Sequence, residues 1–180
     1  MTNGSAFRLA TAGFLALASL VLHDEAQAKS TPASARGQIR RPITLTNSSD
    51  LNFGNIIRGV TAGTVTINAR TGVRTRTGGT VLQGAGWTRA QFVGTGSATR
   101  VVTLSVGAPT ITLNRSGGGT MTVNTLRISV GGAAPQTLPR NITMPASNSQ
   151  SFGIGGRLNV AANQLDGDYV GTFNLTMNYQ

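Results

Sequence analysis

The sequence contains no cysteine, and its one histidine is His23. Without cysteine, the chain has no thiolate nucleophile, no disulfide and no sulfur ligands for zinc or an iron–sulfur cluster. Charged residues make up only 11 % of the chain, compared with roughly 25 % in an ordinary soluble domain. Because cysteine and histidine carry most nucleophilic and metal chemistry, we expect a protein that is not an enzyme and that binds no cofactor or metal.

The first 28 residues have the pattern of a secretory signal peptide. A short start with one positive charge precedes the apolar run Leu9–Leu22, and the cleavage signal Ala26-Gln27-Ala28 follows it. The apolar run is too short to cross ~30 Å of hydrocarbon. We therefore predict that residues 1–28 are removed after Ala28. The protein is then exported through the periplasm to the cell surface or the medium, with no membrane span.

The exported part is strongly basic. It keeps Lys29 and thirteen arginines against three aspartates, Asp50, Asp166 and Asp168, which gives a net charge of +11. Such a balance suits anionic polymers, but the arginines are spread along the chain and no aromatic residues are interleaved with them for stacking on bases. We therefore interpret the arginines as solvated surface residues and expect no nucleic-acid partner. The two aspartates around Gly167 are interpreted as a polar turn, because calcium needs more oxygen ligands than they provide.

The pattern after the signal peptide predicts an all-β protein. Short apolar runs alternate with polar residues and are separated by clusters of Gly, Asn, Ser and Pro, whereas helical periodicity is missing. We predict a flexible, basic N-terminal arm over residues 29–42 and one antiparallel β-sandwich domain over residues 43–180. The predicted strands cover residues 43–46, 51–57, 64–69, 80–82, 90–93, 100–106, 110–113, 120–130, 152–162 and 169–179.

Three local features carry their own predictions. The apolar parity changes sides near Asn124, which predicts a β-bulge or a switch between sheets. Gly153, Gly155 and Gly156 interrupt a strand pattern, which indicates a bulge or a close approach of another backbone segment. Trp87 is either a buried anchor or an exposed sugar platform, and the burial usual for Trp favours the anchor.

The last segment has the most regular alternation in the chain. One face carries apolar or aromatic side chains and glycine, and the opposite face is mostly polar, which is a strong signal for a strand with one buried face. The residues on the first face are Tyr169, Gly171, Phe173, Leu175, Met177 and Tyr179.

Both ends of the exported chain resemble known secreted bacterial families. Gly167 is the fourteenth residue from the end and Tyr179 the penultimate one, and the sequence Leu-Asp-Gly-Asp-Tyr-Val-Gly-Thr-Phe over residues 165–173 is similar to the ending of chaperone–usher pilins and spore coat protein U domains. The opening, from Ile43 to Gly54, resembles a pilin-like family of secreted proteins. The resemblance implies an incomplete immunoglobulin-like sandwich that a donor strand from a neighbour's N-terminal arm completes.

The resemblance also implies a function and a set of partners. We expect a structural subunit of a bacterial surface fibre, pilus or coat, which joins identical or related subunits head to tail and uses a periplasmic chaperone and an outer-membrane usher. The alternative is a self-complemented, monomeric surface adhesin that binds anionic glycans. Whether the arm pairs within its own chain or with a neighbour is left open. The candidate donor residues are Ile39, Ile43 and Leu45, and the candidate assembly residues of the C-terminal segment are Gly167, Tyr169, Phe173, Leu175, Met177 and Tyr179.

Overall fold

The structure, a computed structural model, describes residues 29–180, and the predicted signal peptide lies outside the described residues. Residues 29–42 carry no helix or strand and are exposed throughout, and the compact unit comprises Gln38–Gln180. The described residues form strands and no helix. The strands are β1 (Thr44–Ser49), β2 (Asn55–Ile57), β3 (Gly63–Ile67), β4 (Arg74–Gly78), β5 (Val81–Gln83), β6 (Ala90–Thr95), β7 (Val101–Val106), β8 (Ile111–Arg115), β9 (Thr120–Val130), β10 (Arg140–Thr143), β11 (Ser149–Val160), β12 (Tyr169–Val170) and β13 (Leu175–Tyr179).

Two antiparallel sheets and a separate pair of strands account for all of these strands. The large sheet has the order β1-β6-β11-β9-β8-β12, and β3 joins it beside β11 with β4 on its outer side. The small sheet has the order β10-β7-β13, and β2 pairs only with β5. The all-β class and the antiparallel sandwich predicted from the sequence are therefore confirmed.

The core lies between the inner faces of the two sheets. The large sheet contributes most of its fully buried side chains, among them Val65, Ile67, Ile128 and Ile154, and the small sheet adds Val102, Leu104, Leu175 and Met177. Alternate residues of each strand supply these side chains, as the period of two requires. Burial of this kind is the main stabilising term of the domain, at roughly 25 cal/mol per Å² of apolar surface.

Glycines in β11 allow one chain segment to cross this long strand. The first half of β11 pairs with β6 and the second half with β3 along the same edge. Between the parts of β11 that pair with β6 and with β3, another backbone segment lies close to the strand. A Cβ on Gly153 would collide with the Ala69 carbonyl, and a Cβ on Gly155 would collide with the backbone of Ile67 and Ala69. The close backbone approach predicted for these glycines is confirmed.

The parity change near Asn124 is a β-bulge. Along β9 and β11, Asn124 lies opposite Arg157 and Arg127 lies opposite Gly155, so two residues of β9 face one residue of β11. Thr125 occupies the bulge with a φ of 52°. The extra residue returns Leu126 and Ile128 to the buried face, as the sequence predicted.

Other local expectations need correction. Two observed strands were not predicted. They are β4, in the Arg- and Thr-rich segment after β3, and β10, over residues 140–143. The regular C-terminal segment is two strands, β12 on the large sheet and β13 on the small sheet, rather than one. Trp87 is not a buried anchor, since it is 37 % exposed and the Arg74 guanidinium lies 4.3 Å from its ring centre.

Candidate assembly site at the C-terminal strand

Strand β13 has one partnered edge and one free edge. It pairs with β7 in antiparallel register from Leu175–Val106 to Tyr179–Val102, and no other strand of residues 29–180 pairs with it. The Gly107 amide donates to the Asn174 carbonyl and the Gln180 amide donates to the Val101 carbonyl. Because backbone groups alternate along a strand, the amides and carbonyls of Leu175, Met177 and Tyr179 face away from β7. We call these backbone groups the acceptor edge.

The side chains above the acceptor edge point into the core. Leu175 and Met177 are buried, at 9 % and 5 % exposure, as expected from the alternation. Phe173 lies just before the strand and packs edge-on against Phe92 of β6, with ring centres 6.2 Å apart. Met177 lies against Gly94 of β6, where a Cβ would be only 2.9 Å from its terminal methyl group. Strand β13 therefore lies directly over β6.

The neighbouring strand β1 is only partly covered. Leu45 pairs with Gly94 across the β1–β6 ladder and lies half-buried, as does Ile43 just before β1. Both side chains pack against the core cluster. β1 is the outer neighbour of β6, the strand that β13 covers.

Tyr179 connects the acceptor edge to the start of the folded unit. Its hydroxyl accepts a hydrogen bond from the Ser97 amide at 2.6 Å and donates one to the Arg41 carbonyl at 2.7 Å. The Arg41 amide donates to the Ser97 hydroxyl at 2.7 Å. The Arg40 guanidinium lies 5.3 Å from the Tyr179 ring centre and donates to the Gln180 carbonyl at 3.2 Å. These contacts fix the point where the arm leaves the sandwich.

The hydrogen bonds also change the acidity of this phenol. The bonds from Ser97 stabilise the phenolate and lower the pKa of Tyr179 below 10.0, while desolvation opposes the shift and the positive charges of Arg40 and Arg41 add to it. The neutral phenol is still the form that donates to the Arg41 carbonyl.

The structure divides the predicted site residues into three places. Leu175, Met177 and Tyr179 lie on β13, with Phe173 beside them, and Ile43 and Leu45 lie next to them at β1 of the same chain. Ile39 is fully exposed in the arm. Gly167 and Tyr169 lie elsewhere, because Tyr169 pairs with Arg115 at the outer edge of the large sheet and Gly167, with a φ of 138°, lies against the Arg115 side chain.

Sequence reasoning missed the contacts that hold the arm in place. Ser97, Arg40 and Gln180 carry no motif, and the contact between Arg41 and Tyr179 joins residues 138 positions apart. Only the free hydroxyl of a penultimate tyrosine could have indicated a partner, and nothing in the sequence identifies which one.

These features define the class of the protein as an all-β sandwich whose C-terminal strand has an unpaired edge, with an exposed N-terminal arm. The family model described as a domain of unknown function, DUF4402, matches residues 43–179. That is more than half of the chain, and the protein belongs to this family. A search of the curated proteins and a search of the solved structures gave no significant match.

Proposed function

We propose that the protein is a secreted structural subunit of a bacterial surface fibre, pilus or coat, in which the arm of one molecule pairs with the acceptor edge of the next. The observation that carries this proposal is the unpaired edge of β13 beside the half-buried side chains of Ile43 and Leu45. An open edge next to uncovered apolar surface is a hazard for a monomer, and an added strand removes it.

The arm has the alternation that such a strand needs. Ala33, Ala35, Gly37 and Ile39 share one parity, and polar residues occupy the positions between them. Small side chains suit this place, because Ile43 and Leu45 are already half-buried. Of the three candidate donor residues, only Ile39 is available to a neighbour, since Ile43 and Leu45 pack against the core of their own chain.

The chain direction of the arm relative to β13 favours pairing with a neighbouring molecule over pairing with its own chain. The arm leaves the sandwich at the Tyr179 end of β13. Folded back on its own chain it would run parallel to β13, whereas entering the next molecule at the Leu175 end it would run antiparallel. Antiparallel pairing is slightly more stable per residue. Residues 29–39 can span about 36 Å when extended, and the five residues of β13 need about 17 Å.

Export, a periplasmic chaperone and an outer-membrane usher belong to the same proposal and rest on the signal-peptide pattern and on the pilin resemblance. The alternative, a monomeric adhesin that binds anionic glycans through its arginines, has less support. Arg58, Arg74, Arg76, Arg89 and Arg115 each donate to backbone carbonyl groups of their own chain. Arginines engaged in this way bind an external polyanion less readily.

The experiment compares two arm variants in cells that export the full chain. In a strand paired with the acceptor edge, Ile39→Asp places a charge on the parity that would face the core, and Gln38→Asp places the same charge on the parity that would face solvent. Both positions are exposed, so both variants should fold. We expect SDS-resistant ladders from the parent and from Gln38→Asp, and none from Ile39→Asp or from a chain lacking residues 29–41. Equal ladders from all four proteins would exclude donation through the arm.

A further inference from the structure

A large cleft lies at the end of the sandwich opposite Tyr179. Its volume is about 1020 Å³, at the upper end of the range for small-molecule sites, which is roughly 300–1000 Å³. Residues 54–60 form one wall and residues 164–169 the other. Buried Met121 and Val160, from the ends of β9 and β11, line its apolar part.

Three unengaged polar side chains border this cleft. Asn55 and Gln83 lie side by side in the β2–β5 ladder, and Asp168 lies on the other wall. None of the three side chains makes a hydrogen bond within the described part of the chain, although nearby Gln164 binds the Thr120 carbonyl and the Tyr169 hydroxyl. A cleft that combines an apolar part with a few polar groups from separate segments is the usual form of a small-molecule binding site.

Arg58 spans the cleft and joins its walls. Its Nε donates to an Asp166 carboxylate oxygen at 3.3 Å, and a terminal nitrogen donates to the Ala162 carbonyl at 3.2 Å. The pair is open to solvent, with 47 % of the Arg58 side chain and 90 % of the Asp166 side chain exposed. The second oxygen of Asp166 makes no bond within residues 29–180, and so it adds a further acceptor.

We propose that this cleft binds an uncharged oligosaccharide. Amides offer one donor group and one acceptor group each, and carboxylates accept from two hydroxyls, which matches the neighbouring hydroxyls of a sugar. Two of the three aspartates of the exported chain border the cleft against one arginine. A sulfated or carboxylated glycan would therefore meet like charges there. The site is separate from the acceptor edge, so the inference does not depend on polymerisation through the arm.

The test screens the exported chain on a microarray of uncharged, sulfated and sialylated oligosaccharides and then measures the best uncharged hit by calorimetry. A lost hydrogen bond to a charged group weakens binding about tenfold or more. We expect that loss in Asp168→Ala and a smaller loss in Gln83→Ala, with unchanged affinity in Asn178→Ala, which removes an exposed amide on β13.

Four results would overturn the proposal. They are the absence of any uncharged hit, binding only by charged glycans, an unchanged affinity in Asp168→Ala, or displacement of the sugar by a synthetic peptide of residues 29–41, which would make the cleft a peptide site. Thermal unfolding of each variant should match the parent, because the substituted side chains are exposed. Fibre ladders should persist in Asp168→Ala, so failure here is distinguishable from failure of the polymer proposal.

Discussion

The hydroxyl of Tyr179 donates a hydrogen bond to the backbone carbonyl of Arg41, 2.7 Å away and 138 positions earlier in the chain. This bond ties the start of the folded unit to the last strand. It places the point where the arm leaves the sandwich at the Tyr179 end of the acceptor edge. An arm that folded back onto its own β13 would therefore run parallel to that strand. This position of the arm is one reason for proposing that the arm pairs with a neighbouring molecule.

Removing the Tyr179 hydroxyl should make the end of the arm at Arg40 and Arg41 more mobile. Tyr179→Phe keeps the ring above the core but loses the bonds to Ser97 and Arg41. We expect faster tryptic cleavage after Arg40, measured by mass spectrometry over time, with little change in the rest of the domain. Tyr169→Phe, at the other end of the molecule, is the control and should be cleaved in the arm at the parent rate.

The same phenol gives a pH prediction. Because the pKa of Tyr179 is lowered, mainly by the Ser97 hydrogen bonds, the folded chain releases this proton at a lower pH than the unfolded chain does. Unfolding then takes up a proton in the interval between the folded pKa and 10.0, and the free energy of unfolding gains from this group as pH rises through that interval. Absorbance at the phenolate band in the Tyr169→Phe variant should give a midpoint below 10.0; a midpoint above it would contradict the assigned hydrogen bonds.

Two neighbouring substitutions test the parity of β13. Leu175→Asp puts a charge without a partner into the core and should cost about 3 kcal/mol or more, which leaves little soluble protein. Thr176→Asp adds the same charge on the exposed face and should change the free energy of unfolding by about 0.5 kcal/mol or less. Urea unfolding of both variants makes the comparison. Equal destabilisation would mean that both faces are buried, and equal tolerance would mean that the strand is not packed.

Glycine positions offer a second matched pair. A Cβ at Gly155 would meet the Ile67 carbonyl and would lie 2.6 Å from the Ala69 amide nitrogen, whereas a Cβ at Gly107 would have open space within 4 Å. Backbone atoms cannot move aside cheaply, so Gly155→Ala should destabilise by about 2 kcal/mol or more, as overpacked cores do. Gly107→Ala should be neutral or slightly stabilising. Thermal unfolding of the two variants separates these outcomes, and a neutral Gly155→Ala would contradict the crossing of the chain over β11.

The signal-peptide interpretation predicts where the exported chain begins. Ala26 and Ala28 satisfy the small-residue requirement of signal cleavage. Mass spectrometry of the exported protein should therefore find Lys29 at its N-terminus. A product that retained the apolar run Leu9–Leu22 would contradict the signal-peptide interpretation.

Sequence periodicity predicted those parts of the fold that depend on which face of a strand is buried. The alternation of Leu175 and Met177 and the parity change at Asn124 both correspond to observed burial and register, because burying one face constrains each residue in turn. Strand β4 was missed, since the pattern Arg-Thr-Arg-Thr-Gly carries no apolar signal: its inward positions are arginines. The site depends on contacts distant in sequence, such as Arg41 to Tyr179, which no local pattern encodes.

Arg74 connects several segments through hydrogen bonds, where an apolar side chain would connect them by packing. Its guanidinium donates to the carbonyls of Phe53, Asn55, Gln83 and Gly84 at 2.8–3.4 Å and lies over the Trp87 ring. It therefore joins β4 to both strands of the β2–β5 pair. A lysine keeps the charge but is a single point donor without the planar fork, so it cannot reach these acceptors together.

We expect Arg74→Lys to destabilise the protein by about 1–2 kcal/mol, the worth of one or two charge-assisted hydrogen bonds after partial solvation. Trp87 is the only tryptophan, so its fluorescence should shift to longer wavelength as its covered face becomes exposed. Arg70→Lys, an exposed arginine whose side chain makes no hydrogen bond within residues 29–180, is the control and should change neither measurement. If Arg74→Lys behaved like Arg70→Lys, the β2–β5 pair would be held by its apolar contacts alone, and Arg74 would act as a solvated surface residue.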